Sequence, residues 1–424
     1  MRRLAGAKTS QMMTLVALLI SASMTAAPAR MVAPPSFELP APTGPYPVAT
    51  TSWRLTDRTR SETFAGAPAF REIEIIAWYP AASRGGAGAP YLREGLAEVR
   101  TFAKLFGSES AFDGLEGVRT HAGLDGSPAT TPRKFPVVLF SHGYTGVPSS
   151  YTALLEDLAS HGYAVLSVIH PYEASAATQS GGRVVSMNGN DGTFLQGIQD
   201  VFGEWDAEDR MMANVTRAAG DEEQVRLLRG YLGGLPRTDI ALRRWVDDTT
   251  LAIDRLQSLP KSTAAGRLAV RLDTSRIGAF GHSMGGVTAA QFCVQDTRCR
   301  AGLNLDGIPQ YGTMIDASMP RPFLMVYSER PGRAGANDPI YRRSAHPYYR
   351  VDVKGTRHLD FSDMVFWGGP LRARPILGTI APGRAAAVTA AIVREYFDQE
   401  LLGRRSPLLA GGSDFPEITV RTLR

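Results

Sequence analysis

An α/β fold with a mostly parallel central sheet flanked by helices is what this sequence predicts. Two features point to it: short apolar runs bounded by turn residues, and amphipathic segments that alternate with them along the chain. Residues 70–79 open the series, β-branched, alternating and closed by Pro80, which reads as a strand. A Gly/Ala/Ser loop follows at 82–90. Residues 136–141 (PVVLFS) are continuously apolar and bounded by turns, the pattern of a strand buried on both faces. Leu154, Leu155 and Leu158 give 149–160 a helical spacing, and 163–169 return to a buried strand. Residues 238–259 form an amphipathic helix with Leu242, Trp245, Val246, Thr249, Ile253 and Leu256 on one stripe. Strands are expected at 276–280, 301–305, 322–327 and 349–353, with helices at 284–294 and 385–402, the last stopped by Gly403. Their alternation implies right-handed crossovers. Between them, residues 176–235 are rich in glycine and charge, with broken helical patches such as 194–202, and read as an insertion: a candidate lid or a solvated decoration. The domain so bounded spans 51–405, between a Pro-rich leader at 30–50 and a C-terminal tail at 406–424.

Composition narrows the function classes. The chain has 424 residues, 44% of them hydrophobic and 21% charged, which is globular and neither a disordered polymer nor a fibre. Lys and Arg number 46 against 41 Asp and Glu, and Arg2, Arg3 and Lys8 all precede the first acid, Glu38. No basic run interleaves with aromatics, so nucleic-acid binding is not expected. Those N-terminal cations, the apolar stretch from Met12 to Met24 and the small residues Ala27-Pro28-Ala29 have the layout of a signal peptide over 1–29, and export to the periplasm or medium is expected. The apolar stretch is broken by Ser21 and Ser23 and falls short of the ~20 residues a membrane span needs. In an oxidising compartment Cys293 and Cys299 are candidates for a disulfide, two buried thiols being the alternative. Without histidines nearby they make no zinc site, and no metal or cofactor is expected.

The chemistry concentrates at Gly281-His282-Ser283-Met284-Gly285-Gly286, a G-x-S-x-G motif with a strand before it and a helix after it. So sharp a turn strains the serine backbone, and side chains at Gly281 and Gly285 would collide with the neighbouring strand and helix. Ser283 becomes the candidate nucleophile, and the Met284 N–H at the helix start a candidate oxyanion donor. A serine hydroxyl needs a base and a group that orients the base. His142, His161, His170 and His282 sit in or against inner elements. That leaves His346 and His358 downstream of Ser283, and His358 follows its strand on the carboxyl side, where chemistry collects in open sheets. Position alone leaves the acid open among Asp306, Glu329 and Asp338, with Asp306 favoured because it directly caps a buried strand. The loop Ser141-His142-Gly143-Tyr144-Thr145-Gly146 follows an inner strand and offers the Tyr144 N–H as the second oxyanion donor. Tyr144, Phe361, Phe366 and Trp367 stand near the expected mouth, and Phe361 and Trp367 are candidate substrate contacts.

Taken in order, F-S-H-G at 140–143, L-A-S-H-G-Y-A-V at 158–165, G-H-S-M-G-G at 281–286, L-D at 305–306 and G-T-R-H at 355–358 resemble the plasma-type (group VII) platelet-activating-factor acetylhydrolases and their bacterial relatives. P-T-G-P-Y at 42–46, W-Y-P at 78–80 and the end of the last helix, Tyr396-Phe397-Asp398 and Leu401-Leu402-Gly403, extend the resemblance over about 42–403. It implies an α/β-hydrolase fold, Asp306 as the acid, and the remaining roles on Ser283, His358, Tyr144 and Met284. It also implies calcium-independent hydrolysis of short or oxidised sn-2 acyl esters of phospholipids, so the partner is a small-molecule or lipid ester. Two departures stand out: His170-Pro171-Tyr172-Glu173 replaces a basic-acidic pair of the animal enzymes, and the 176–235 insertion is long and unlike theirs. Polyester, dienelactone and lipase-type esterases share the sheet, as would a catalytically silent binding protein.

Overall fold

The computed structural model describes residues 37–423 except 66–67, 84–86, 105, 188–199, 202, 206 and 374–375. The expected signal peptide at 1–29, the first part of the leader and most of the helical patch at 194–202 lie outside the described residues.

The strands are β1 (Val48–Ser61), β2 (Phe70–Pro80), β3 (Gly88–Pro90), β4 (Arg119–Leu124), β5 (Phe135–Ser141), β6 (Ala164–Ile169), β7 (Ala176–Thr178), β8 (Val184–Ser186), β9 (Leu272–His282), β10 (Cys299–Leu305), β11 (Phe323–Ser328), β12 (Tyr348–Val353) and β13 (Ile418–Leu423). All but the β7–β8 hairpin join one sheet in the order β13-β12-β11-β10-β9-β5-β6-β2-β1-β4-β3. From β6 to β12 the neighbours run parallel, while β2 and β13 pair antiparallel at either side. Every residue of β5 and β6 is buried, as expected of strands covered on both faces. The helices that cover them include α1 (Ala97–Lys104), α2 (Thr152–Ser160), α3 (Glu208–Arg217), α4 (Asp221–Leu232), α5 (Pro236–Asp254), α6 (Ala264–Ala269), α7 (Met284–Gln295) and α8 (Pro382–Leu402). This is the α/β-hydrolase architecture. No helix among the described residues is long and apolar enough to cross a membrane.

Register decides where the loops gather. Ser141 lies opposite Gly281, His282 opposite Leu305, Leu305 opposite Val326 and Ser328 opposite Val353. The carboxyl ends of five strands therefore reach one rim. A second apolar cluster, with Tyr91, Phe102, Phe112 and Trp367, packs beside the main core.

Two expected boundaries are corrected. The folded domain does not begin at 51: β1 starts at Val48, and before it Tyr46 N–H binds the Ser160 carbonyl at 3.0 Å while Thr43 bonds Asp157. Nor is 406–424 a free tail, because Ile418–Leu423 adds β13 to the sheet edge. Both strands are polar on one face, so their apolar signal is weak and their pairing partner supplies the order. Cys293 and Cys299 are joined by a disulfide between the end of α7 and the start of β10.

Candidate active site

The turn from β9 into α7 is held open by glycines. Ser283 has φ 56° and ψ −124°, a strained conformation for a residue with a side chain. A Cβ on Gly285 would come within 2.0 Å of the Ser141 carbonyl, one on Gly281 within 2.3 Å of the Gly285 backbone, and one on Gly307 within 2.2 Å of the Ser283 carbonyl. Close approach of three backbones thus sets the serine at the rim. Its own N–H is tied to the Leu305 carbonyl at 2.8 Å. Met284 is the first helical residue, with no carbonyl one turn back in the helix to receive its N–H.

Asp306 follows β10 and is buried, also at a positive φ of 56°. Its carboxylate accepts from Ser328 N–H at 2.9 Å, Ser328 Oγ–H at 2.8 Å and His358 Nδ1 at 2.8 Å, and pairs with Arg330 at 2.8 Å. Burial favours the neutral acid, but the Arg330 guanidinium and the His358 hydrogen bond outweigh it and hold the carboxyl well below its usual range. An ionised carboxylate can only accept, so His358 carries its proton on Nδ1 and leaves Nε2 with a lone pair. The imidazole keeps 31% of its side chain exposed, in the cavity that Ser283 also lines. Burial first, and the charge of Arg330, lower the His358 pKa, while the bond to Asp306 works in the opposite direction.

His282 links these loops. Its Nε2 lies 2.8 Å from the His358 carbonyl, which only accepts, so Nε2 is the donor and Nδ1 the acceptor. The Tyr151 hydroxyl then donates to Nδ1 at 2.9 Å and accepts the Gly143 N–H at 3.3 Å. Burial, with the neighbouring His358 second, depresses the His282 pKa to about 3 and keeps the ring neutral. The Tyr144 loop is fixed from below as well. Thr145 N–H binds the Glu173 carbonyl at 2.8 Å, and His142 Nδ1 donates to the Gly143 carbonyl at 2.7 Å. Beneath it, His170 stacks on Trp245 at 4.0 Å and bonds Asp248, which also pairs with Arg71. The expected departure at 170–173 is therefore part of the support under the Tyr144 loop.

A cavity of about 840 Å³ contains Ser283, Met284, Tyr144, Asp306 and His358 in its wall, with apolar surface from Phe102, Trp205, Ile308, Tyr311, Met364 and Ile376. Trp205, Glu208, Asp209 and Ala213 of this wall come from the 176–235 insertion. The aromatic contacts read from sequence are corrected: Phe361 and Trp367 do not line this cavity. Phe361 is packed in the main core, and Trp367 is fully buried among Phe102, Phe112 and Tyr91, because their chain turns inward after His358. The losing acids are occupied elsewhere. Glu329 accepts the Gly355 N–H at 2.7 Å, and Asp338 is held by Tyr348 and Arg350. His346 is an exposed loop residue. Arg330, Tyr151 and the linking role of His282 escaped sequence reasoning; the only available signal for Arg330 was its place just after β11. Among the described residues no group of three His, Cys, Asp or Glu could hold a metal ion.

The family model described as platelet-activating factor acetylhydrolase, isoform II, matches residues 35–205 and 241–393. The chain belongs to this family. The break in the match falls on the second half of the insertion, where α3 and α4 lie. Relatives in the family include the platelet-activating factor acetylhydrolase of Cavia porcellus, 27% identical over 253 residues, 58% of this chain and 52% of the relative. A probable 1-alkyl-2-acetylglycerophosphocholine esterase of Arthroderma benhamiae is 23% identical over 429 aligned positions, covering 91% of this chain and 94% of the relative. The chain spans about half the length of the mammalian relatives it matches. Among solved structures, a ferulic acid esterase from Streptomyces cinnamoneus is similar with a TM-score of 0.68 and 28% identity, covering 90% of this chain and 98% of that one.

Proposed function

We propose that the protein is a serine carboxylic-ester hydrolase that works through Ser283, His358 and Asp306. The observation that carries the reading is the 2.8 Å contact between His358 Nδ1 and a buried, ionised Asp306, in the same cavity wall as a serine on a strained elbow. His358 Nε2 takes the proton as Ser283 Oγ attacks the ester carbonyl carbon. Asp306 holds the tautomer and stabilises the imidazolium. The N–H groups of Tyr144 and Met284 receive the negative charge on the carbonyl oxygen. The imidazolium then protonates the leaving alcohol, and water, activated by the same nitrogen, cleaves the acyl-enzyme and regenerates Ser283. A fluorophosphonate probe tests the proposal: it should label the folded protein, and the label should vanish in Ser283→Ala. Folded protein that stays unlabelled and hydrolyses no ester would refute it.

Family membership favours short or oxidised acyl esters of platelet-activating-factor-like phospholipids as substrates. A second reading, an aromatic acyl ester, is favoured by Trp205, Tyr311 and Tyr144 in the wall and by the likeness to a ferulic acid esterase. Rates on a 2-acetyl phospholipid, methyl ferulate and a p-nitrophenyl ester series separate these from a lipase-type profile. Export is proposed as well, on the pattern at 1–29 and the disulfide, and N-terminal sequencing of protein recovered outside the cytoplasm checks it.

A further inference from the structure

The cavity that holds Ser283 opens between two apolar walls. Tyr144, Trp205, Val287, Ile308 and Tyr311 belong to the main core, whereas Phe102 and Met364 belong to the second cluster, with Leu359 and Ile376 packed against it. The helices behind the two walls cover opposite faces of the sheet. Gly302 on β10 lies one residue beyond Ala301, the partner of Gly278 on β9, so the two glycines face opposite ways. A Cβ on Gly278 would meet Phe397 of α8 at 2.5 Å, and one on Gly302 would come within 3.1 Å of Cys293 of α7. The turn His358–Phe361 packs on α8. Trp205 and Tyr311 stand on the other side, with α5 and α7. Trp205 Nε1 donates to Thr238 of α5 at 3.0 Å, and Thr313, two residues after Tyr311, is held by Gln291 of α7.

The insertion closes the first wall. Trp205 is buried, meets the Tyr144 ring edge-on at 5.6 Å and lies parallel to the Tyr311 ring at 6.3 Å. The Tyr311 hydroxyl donates to Glu208 at 2.7 Å, and Arg333 pairs with the same carboxylate. Because Trp205 is also part of the main core, a chain reaching past it would have to displace packed side chains. The family match breaks directly after Trp205, so α3, which carries Glu208, falls outside it.

Chemistry assigns the two walls. The imidazolium of His358 hands its proton to the departing alkoxide, so the alcohol half of the ester lies on the His358 side, where Leu359 follows in the chain. The acyl half is the remaining group on the tetrahedral carbon and extends away from His358. We propose that Tyr144, Trp205 and Tyr311 form the acyl pocket, that Trp205 ends it and sets the longest acyl group admitted, and that the wall of Phe102, Leu359 and Met364 takes the alcohol half. Acyl-length selection in this protein is thus a property of its insertion. The inference rests on the serine-esterase reading.

Two ester series on the full chain test it. In the first the alcohol is fixed and the acid grows: p-nitrophenyl acetate, butyrate, hexanoate and decanoate. In the second the acid is fixed and the alcohol grows: ethyl, butyl and octyl acetate. In the wild type kcat/KM should fall along the acyl series. Trp205→Ala should raise the decanoate-to-acetate ratio by roughly tenfold or more, and Trp205→Leu by less. Neither should move the octyl-to-ethyl ratio, whereas Met364→Ala should move that ratio and leave the acyl series as it was. Should Trp205→Ala fail to fold, the leucine variant decides alone. A wild type that prefers decanoate, an acyl ratio that folded Trp205 variants leave unchanged, or an equal shift in the alcohol series would overturn the assignment. A merely loosened insertion would change all rates together and leave the ratios fixed, which counts against it too. If p-nitrophenyl acetate is still hydrolysed in those cases, the esterase reading stands; a wild type inactive on every ester removes both.

Discussion

Ser283, His358 and Asp306 make different demands on their surroundings, and their variants should differ accordingly. Ser283→Ala and His358→Ala are each predicted to lower kcat by roughly 10⁴-fold or more, with the double variant little worse, because the groups act as one unit. Additive losses in steady-state kinetics would contradict that unit. Asp306→Asn should be the milder lesion. Arg330 acts at one remove: its charge lowers the pKa of His358, so Arg330→Gln should raise that pKa and move the acid limb of the kcat/KM profile to higher pH. A merely structural role would lower the rate without moving the limb. Tyr151→Phe removes the donor to His282 and the acceptor of the Gly143 N–H at once. It should cost about 1–3 kcal/mol in urea denaturation and lower kcat more than it raises KM.

Elements dock here through charges as well as apolar faces. Helix α5 meets β2 through Asp248, which accepts a two-pronged contact from Arg71, both groups being buried. Asp248→Ala takes the two-pronged partner from a buried guanidinium, leaving it only Glu62 and the Pro171 carbonyl, and is predicted to destabilise the protein by about 3 kcal/mol, measurable as a fall in the denaturation midpoint. Helix α7 approaches β5 so closely that Gly285→Ala must displace the Ser141 carbonyl. At this scale much was legible. The strands at 70–79, 136–141 and 276–280 and the helices at 238–259 and 385–402 carry clear local patterns, alternation, a continuous apolar run or a helical stripe, and they match β2, β5, β9, α5 and α8. β4 and β13 were not legible, being short, half-exposed strands, one next to the sheet's edge and one at it, each ordered by a neighbour distant in sequence. The insertion's contribution of Trp205 and Glu208 to the cavity was hidden for the same reason.

Across the whole molecule, opposing titrations shape the response to acid. His142 and His282 are buried neutral with pKa values near 3, so the unfolded chain binds their protons first and stability falls as pH drops below about 6.5. Glu74 and Asp363, pushed up to about 7 by burial, work the other way: the folded state binds their protons first, which adds stability as pH falls toward the usual carboxylate range. The two effects offset each other down to about pH 4.5. Asp306 and Asp248, depressed by their cationic partners, then lose their contribution as pH falls through and below about 4. A plateau followed by a steep loss is the expected denaturation profile; a steady decline from neutral pH would contradict it.

Local pattern determined the sheet's inner strands, the elbow and the candidates Ser283 and His358, because periodicity and the glycine spacing of a strand-to-helix turn are properties of neighbours in the chain. Only the tertiary structure decided that Arg330 lies behind Asp306 and His358, that Glu329 and Asp338 are engaged elsewhere, and that Phe361 and Trp367 point into the core. Those facts depend on register between strands and on which loop has room at the rim. Contacts between residues dozens of positions apart leave no periodic trace in a single sequence.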